Sequence, residues 1–262
     1  MRITVLGSGS AGNCTLVESG TTALLIDAGF SCRQITQRLA TLGRTLDELA
    51  GVLISHEHSD HISGLNVLCK SRHIPIYANR LTAEAVSHET AGDTKTRIPW
   101  RLFTNGSAFT VGELTVESFS IPHDAQDPVA FVVHNATVAA GFVTDLGHAT
   151  KLVAERVRGL DALVLESNHD VKLLQDDPVR PWALKQRILS RHGHLSNEDA
   201  GKLAADVVTD KLRHLVLAHL SRDCNRPELA HKAVTKQLHS IGAKHVHVCT
   251  AKQQEPTPTF QL

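Results

Sequence analysis

The sequence predicts an α/β fold, on three observations. Short apolar runs, among them 52–54, 161–166 and 215–218, are bounded by polar residues and read as strands buried on both faces. In the first and last thirds of the chain such runs alternate with stretches of helical spacing, the pattern of sheets covered by helices. Clusters rich in His and Asp begin where the runs end, and loops leaving strand ends are where functional groups gather.

Taken in order, the chain enters a strand at once, followed by Gly7-Ser8-Gly9-Ser10-Ala11-Gly12. This spells G-x-G-x-x-G, and Asp27 stands about where a dinucleotide fold would put its ribose-binding acid. That fold needs a helix after the third glycine, whereas 14–18, Ser19-Gly20 and 22–26 read as strand, turn, strand. The match is a decoy, and its glycines are expected to let a loop pack close beside the site. From Ser31 to Leu49, spaced Ile35, Leu39, Leu42 and Leu46 predict a helix. A strand at 52–54, a helix opening near Asp60, a strand at 74–78 and a helix near 81–89 follow. The region 101–142 reads as strands at 108–111, 114–119, 129–133 and 137–142, with His134-Asn135 at a hairpin turn. Beyond 161–166 come a helix over 182–189, a helix start at Ser196 with Asp199, and the strand 215–218. The tail, from Gln253 through Pro256 and Pro258, reads as irregular.

Composition narrows the function. With 262 residues there is enough chain for a sizeable core. The 27 basic and 27 acidic residues cancel, so no global basic field advertises nucleic-acid binding, although a local patch remains open. The N-terminus lacks the charged region, apolar core and cleavage site of a secretion signal, and no apolar run approaches the ~18 residues of a membrane helix. The five cysteines are odd in number and form no Cys-x-x-Cys pair, a usage that fits a reducing cytoplasm. Most read as small buried side chains; Cys224, five residues after His219, is the exception to watch.

The chemistry centres on Ser55-His56-Glu57-His58-Ser59-Asp60-His61. In extended chain, side chains at i and i+2 point the same way, so His56 and His58 can converge on one ion while Glu57 faces elsewhere. The spacing differs from the helical His-Glu-x-x-His motif, whose histidines sit at i and i+4. In a chain with 17 histidines a lone His-x-His pair would mean little; Asp60 and His61, turned by a new helix toward a second point, make two neighbouring metal sites the natural use. His123, Asp145 and His219 likewise lie at or just beyond strand ends. Imidazole and carboxylate together suit zinc, and also manganese or iron.

The run His56-x-His58-x-Asp60-His61 resembles the signature of the metallo-β-lactamase-fold hydrolases. The resemblance implies a four-layer αββα sandwich over a single domain, 1–262, with the site at one edge of two sheets. It also implies a ligand set: His56, His58 and His123 on one ion, Asp60, His61 and His219 on the other, and Asp145 bridging. Asp27 would support the histidine loop without touching metal. Two ions ~3.5–4 Å apart lower the pKa of a shared water and stabilise a displaced oxygen, which is chemistry for attack on a scissile ester. His61 stands where secreted β-lactamases of this fold usually have Cys, which argues against antibiotic cleavage and for phosphodiesters.

A second layer covers nearly the whole chain. Glu166-Ser167-Asn168-His169-Asp170, the run 181–190, Gly193-His194-Leu195-Ser196-Asn197-Glu198-Asp199-Ala200 and Ala218-His219-Leu220-Ser221 resemble the bacterial YycJ/WalJ branch. That branch implies a cytoplasmic, metal-dependent 5′-to-3′ exonuclease acting on DNA. Asp60 and His194 are the candidate catalytic residues, His194 meeting the scissile phosphate or the leaving oxygen, as the order Glu166, His194, His219 in tRNA 3′-processing nucleases also implies. Asp27, Glu166, His169 and Asn225 are candidate supports. The interval from Asp145 to His219 is too short for the extra domain of β-CASP nucleases. Two departures, Cys224 where the branch often has Asn and Leu146 where Thr is frequent, remove no ligand. Lys172, Arg180, Lys185, Arg187 and Arg191 lie between site motifs and are candidate DNA contacts, or else a solvated helical face. The competing readings are a phosphodiesterase for a small cyclic phosphate, as in PhnP-like relatives, a glyoxalase-type thioester hydrolase, and a non-enzymatic binding module.

Overall fold

In the computed structural model, which describes residues 1–90 and 97–262, two seven-stranded sheets face each other. The first runs β1 (Arg2–Gly7), β2 (Cys14–Ser19), β3 (Thr22–Ile26), β4 (Leu49–Leu53), β5 (Ile76–Asn79), β6 (Trp100–Phe103) in spatial order. The second has β7 (Ala108–Val111), β8 (Leu114–Ser120), β9 (Val129–His134), β10 (Ala139–Val143), β11 (Ala162–Glu166), β12 (His214–Ala218) and β13 (His247–Thr250). Phe260–Gln261, β14, returns to the first sheet beside β1. Each sheet begins as an antiparallel meander and turns parallel, at β3–β4 in one and β10–β11 in the other.

Helices α1 (Cys32–Thr41), α2 (Ser59–Ile62), α3 (Leu65–Ser71) and α4 (Arg80–Thr90) belong to the first half. The second half has α5 (Lys151–Val157), α6 (Val171–Asp176), α7 (Trp182–Ile188), α8 (Asn197–Val207) and α9 (Pro227–Ser240). Alternation along each strand explains the layering. In β3, Ala23 and Leu25 pack outward with Ile35 and Leu39 of α1, while Leu24 and Ile26 face the opposite sheet. In β11 and β12, Leu163, Leu165, Leu215 and Leu217 meet α8 and α9, while Val164 and Val216 face inward. Three apolar layers thus separate four structural layers, and strands buried on both faces read as unbroken apolar runs. This is the predicted αββα sandwich.

Several expectations are corrected. The helix expected over 31–49 ends at Thr41, because Gly43 takes φ +69° and turns the chain into a short 3-10 segment at Leu46–Glu48. The hairpin at His134-Asn135 falls later: β9 keeps His134, and Asn135 Oδ1 accepts from Thr137 and Val138 N–H in an Asx-type turn. The tail is not wholly irregular, since Phe260 is buried between the sheets and pairs with Ile3. Strand β13 has weak local signal, with His247 and Val248 alternating at a sheet edge. The glycine-rich stretch joins an antiparallel pair and precedes no helix, as the strand–turn–strand reading requires.

Two glycines let the first loops close on the histidine segment. A Cβ on Gly29 would lie 1.7 Å from the Asp60 carbonyl oxygen, and one on Gly64 would lie 2.2 Å from that of Phe30. Backbone bonds Ala28 N–H to His61 O and Asn13 N–H to Asp60 O fix the contact. Gly29→Ala is therefore expected to cost at least the ~1–3 kcal/mol of an overpacked site. Urea unfolding tests it; an unchanged midpoint would show that the two loops are not held this tightly.

Candidate metal centre

The first site element follows β4. Ser55 N–H donates to Asp27 Oδ1 and Ser55 Oγ to Asp27 Oδ2, so the aspartate ending β3 holds the start of the histidine segment. With its hydroxyl proton committed there, Ser55 Oγ accepts from His56 Nδ1. His61 Nδ1–H donates to Asp27 Oδ2 at 2.7 Å. From the second sheet, His123 Nδ1–H donates to the Gly193 carbonyl and His219 Nδ1–H to Glu166 Oε1. Each of these rings has one nitrogen tied outward to an acceptor, which fixes the tautomer and leaves the Nε2 lone pair for the interior.

The inward atoms converge. His56 Nε2 and His58 Nδ1 are 3.1 Å apart, and His58 Nδ1 is 3.4 Å from His123 Nε2. His219 Nε2 lies 3.2 Å and His61 Nε2 3.5 Å from Asp60 Oδ2. Asp145 stands between the two sets, with Oδ2 3.1 Å from His61 Nε2 and Oδ1 3.7 Å from His123 Nε2. Two of the resulting groups, His56/His58/His123 and Asp60/His61/His219, each have ligand atoms within 4.8 Å of one another. The i, i+2 expectation holds for His56 and His58, and Glu57 turns away to accept from Gln126 N–H.

Electrostatics favours a cation here. Asp27, Asp145 and Glu166 are at most 3% exposed, and among the described residues none of them pairs with a lysine or arginine. Burial alone would raise the pKa of Glu166, but facing His194 and His219 hold it down at about 2. Burial likewise opposes ionisation of Asp145, yet His219 and His61 keep its pKa well below the carboxylate range. The converse holds for His219, raised by Asp145, Asp60 and Glu166 against the effect of burial. His56 is driven well below its usual value, first by burial and then by His61. Asp145 Oδ2 is buried with no hydrogen bond assigned to it among the described residues, although His61 Nε2 lies 3.1 Å away. Converging imidazole lone pairs around such an oxygen form a donor set that fits divalent metal.

His194 lies two residues ahead of Ser196, whose side chain caps α8 by accepting from Asp199 N–H. Its Nδ1 donates to Glu166 Oε1 at 2.9 Å, and the ring lines a recess of about 250 Å³ together with Arg187, Asn168 and Ser221. The ring is partly exposed, unlike the buried rings of His56, His61, His123 and His219. Burial opposes its protonation, but Glu166 raises its pKa above the usual value. Asn225 joins Asn197 in a reciprocal amide pair and donates to the Ser167 and Asn168 carbonyls, bracing the loop after β11. His169 is buried, and among the described residues neither ring nitrogen is hydrogen-bonded and the ring joins none of the converging groups; burial lowers its pKa to about 4.

Other expectations change. Lys185 is a poor DNA contact, because its side chain is buried and Nζ donates to the Gln175 carbonyl. Arg180 is held by Asp177 and Asp223, Arg187 pairs with Asp124, and Arg191 meets His148; Lys172 is exposed. Cys224 Sγ faces Asp177 Oδ2 and stays out of the cluster. Leu146 donates its backbone N–H to Glu166 Oε2, while its side chain is fully buried in the apolar layer under the second sheet. Sequence reasoning missed Ser8, whose Oγ accepts from His219 N–H, and Asn13, whose Nδ2 reaches Asp60 Oδ2 and His61 Nε2. Their only local signal was the glycine-rich loop expected beside the site.

Fold and cluster together define a class. Residues 22–220 match the family described as the Beta-lactamase superfamily domain, and the chain belongs to it, as a hydrolase of metallo-β-lactamase fold. It is 39% identical over 242 residues to exodeoxyribonuclease YycJ of Bacillus anthracis, covering 92% of this chain and 90% of the relative. To exodeoxyribonuclease WalJ of Streptococcus pneumoniae serotype 2 (strain D39 / NCTC 7466) it is 36% identical, covering 90% of this chain and 88% of that protein. The crystal structure of the metallo-β-lactamase fold protein YhfI from Bacillus subtilis matches with a TM-score of 0.71 at 19% identity, over 98% of each chain.

If Asp27 works through His61 and Ser55, Asp27→Ala should lower divalent-metal affinity by the ~10–100-fold usual for loss of a ligand's outer partner. Competition titration with a chromophoric chelator measures this. Wild-type affinity in the variant would remove Asp27 from the support of the site.

Proposed function

We propose that the chain is a binuclear metal-dependent phosphodiesterase and, specifically, a 5′-to-3′ DNA exonuclease. The observation that carries the reading is the near end-to-end similarity to two proteins named exodeoxyribonucleases. The geometry supports two ions: His56, His58 and His123 would hold one, Asp60, His61 and His219 the other, and Asp145 would serve both. Ions bound there supply Lewis acidity and lower the pKa of water, the chemistry of phosphodiester hydrolysis.

The chain's own groups do the rest. Asp27 and Glu166 orient ligand histidines through their outer nitrogens. Asp60 carries its carboxylate on the first turn of α2, partly open to solvent and within reach of substrate. His194, tied at Nδ1, lines the recess and is positioned to hold a proton for the leaving oxygen or to meet a phosphate oxygen. Lys172, Arg187 and Arg191 are exposed and suited to phosphate contacts. Because the two sheets each contribute part of the cluster, residues 1–262 act as one hydrolase unit. All five cysteines are free thiols, which supports the cytoplasm as the working compartment.

Purified active protein should contain two divalent ions per chain by elemental analysis, and His58→Ala or Asp145→Ala should lose metal and activity together. With zinc or manganese, linear DNA labelled at its 5′ end should release labelled mononucleotide first, while a 3′ label should give a shortening ladder. One ion in fully active protein would sink the binuclear reading, and loss of the 3′ label first would reverse the polarity.

His194→Ala should keep both ions yet lose roughly 10²-fold or more in turnover, the scale of one general acid. Near-normal turnover would confine His194 to a structural role.

A further inference from the structure

Beside the metal centre lies a cleft of about 700 Å³ that no local stretch of sequence announces. Its charged lining comes from separate parts of the chain: Arg180 from the loop before α7, Arg222 and Arg226 from the loop after β12, and Lys252 from the segment after β13. Against these four cations the lining offers one acid, Asp223. In a chain with zero formal net charge the lining is net positive, with Asp177 and Glu255, just outside it, pairing with Arg180 and Lys252 and leaving Arg222 the most open of the four.

The cleft adjoins the site. Ser10, Arg180 and Ser221 line both this cleft and the recess that holds His194, so the two share a wall. Ser8, at the cleft's edge, accepts from the His219 backbone N–H. A strand with its scissile phosphate beside His194 could therefore continue into the cleft past Ser10 and Ser221.

The cations are braced or available. Arg180 is fixed by Asp177 and Asp223, and Arg226 NH1 bonds the carbonyls of Arg222, Asp223 and Asn225. Arg222 is 90% exposed, with only a 3.5 Å approach to Asp223. Lys252 pairs with Glu255, both well exposed, and such surface pairs exchange readily for another anion. Ser, Asn and Gln side chains supply further polar groups, and among the described residues no aromatic ring lines the cleft. Bases thus lack a stacking platform, whereas phosphates find charge and hydrogen bonds.

We propose that this cleft is the track along which the phosphodiester backbone of the substrate strand leaves the metal centre, and that it reads backbone and not base. The inference rests on the nuclease reading and deepens it. It also moves polymer binding away from Lys185, toward residues remote in sequence.

The test uses metal-loaded protein and a fluorescent single-stranded phosphorothioate oligonucleotide, whose anisotropy gives Kd across a salt series. The triple variant Arg222→Gln/Arg226→Gln/Lys252→Gln should bind at least tenfold more weakly at moderate salt. Its log–log salt slope should be flatter by about 2, from three lost contacts at ~0.7 each. Should bracing by Arg226 prove essential to folding, the double variant Arg222→Gln/Lys252→Gln should flatten the slope by ~1.4. Arg158→Gln, outside the lining of both the cleft and the recess and paired with Asp206 of α8, should leave the slope alone. Wild type should bind oligo-dT and a mixed sequence within threefold.

Unchanged affinity and slope in the cleft variants, with wild type still degrading DNA, would overturn the track and leave the nuclease reading standing. An equal effect from Arg158→Gln would overturn it too, as would a preference above tenfold between the two oligonucleotides. Wild type that neither binds nor degrades DNA would overturn both.

Discussion

Three buried carboxylates paired with histidines organise this molecule. Asp27, Asp145 and Glu166 lie where a lone carboxylate would be costly, and among the described residues neither lysine nor arginine pairs with them. Each is compensated by imidazoles, and the compensation fixes which nitrogen of each ring carries its proton. Asp27 and Glu166 take the outer N–H of His61 and His219, so the opposite nitrogens point inward. The same arrangement that makes burial tolerable therefore assembles a donor set for divalent metal.

The backbone meets this demand in both halves with one device. Where each sheet turns from antiparallel to parallel, the strand ends in an aspartate with left-handed φ: Asp27 at +61° after β3 and Asp145 at +58° after β10. His219 after β12, at +54°, is the remaining non-glycine residue of this kind among those described. Such conformations cost about 1–3 kcal/mol each and persist where surrounding packing dictates them. The two aspartates then diverge in use. Asp27 spends its oxygens on Ser55 and His61, whereas Asp145 holds Oδ2 in the middle of the cluster, 3.1 Å from His61 Nε2.

Around the centre, polar residues join loops from distant strands instead of facing water. Ser8 holds the backbone of His219, Asn168 donates to the His219 carbonyl, and Gly193 accepts from His123. The Asn197–Asn225 pair ties the start of α8 to the loops after β11 and β12. Satisfied networks of this kind hold a constellation rigid, which a site relying on alignment requires. His169 stands apart, buried with neither ring nitrogen hydrogen-bonded among the described residues.

The sequence by itself determined the layers and the location of the chemistry. Unbroken apolar runs marked doubly buried strands, and His56, His58, Asp60, His61, His123, Asp145 and His219 stood at their ends; strand burial and the i, i+2 convergence of His56 and His58 are local periodic properties, legible without partners. What required the tertiary structure was every pairing between distant segments. Lys185, basic and flanked by arginines, looks like a phosphate contact until packing turns its ammonium to the Gln175 carbonyl. Ser8 and Asn13 acquire their roles only when β1 and its loop are laid against Asp60 and His219. The tail finds a strand partner only because β1 leaves an edge for Phe260 to cover. Periodicity is written along one dimension, whereas a hydrogen-bond partner or a shared cleft depends on which surfaces the packed layers bring together.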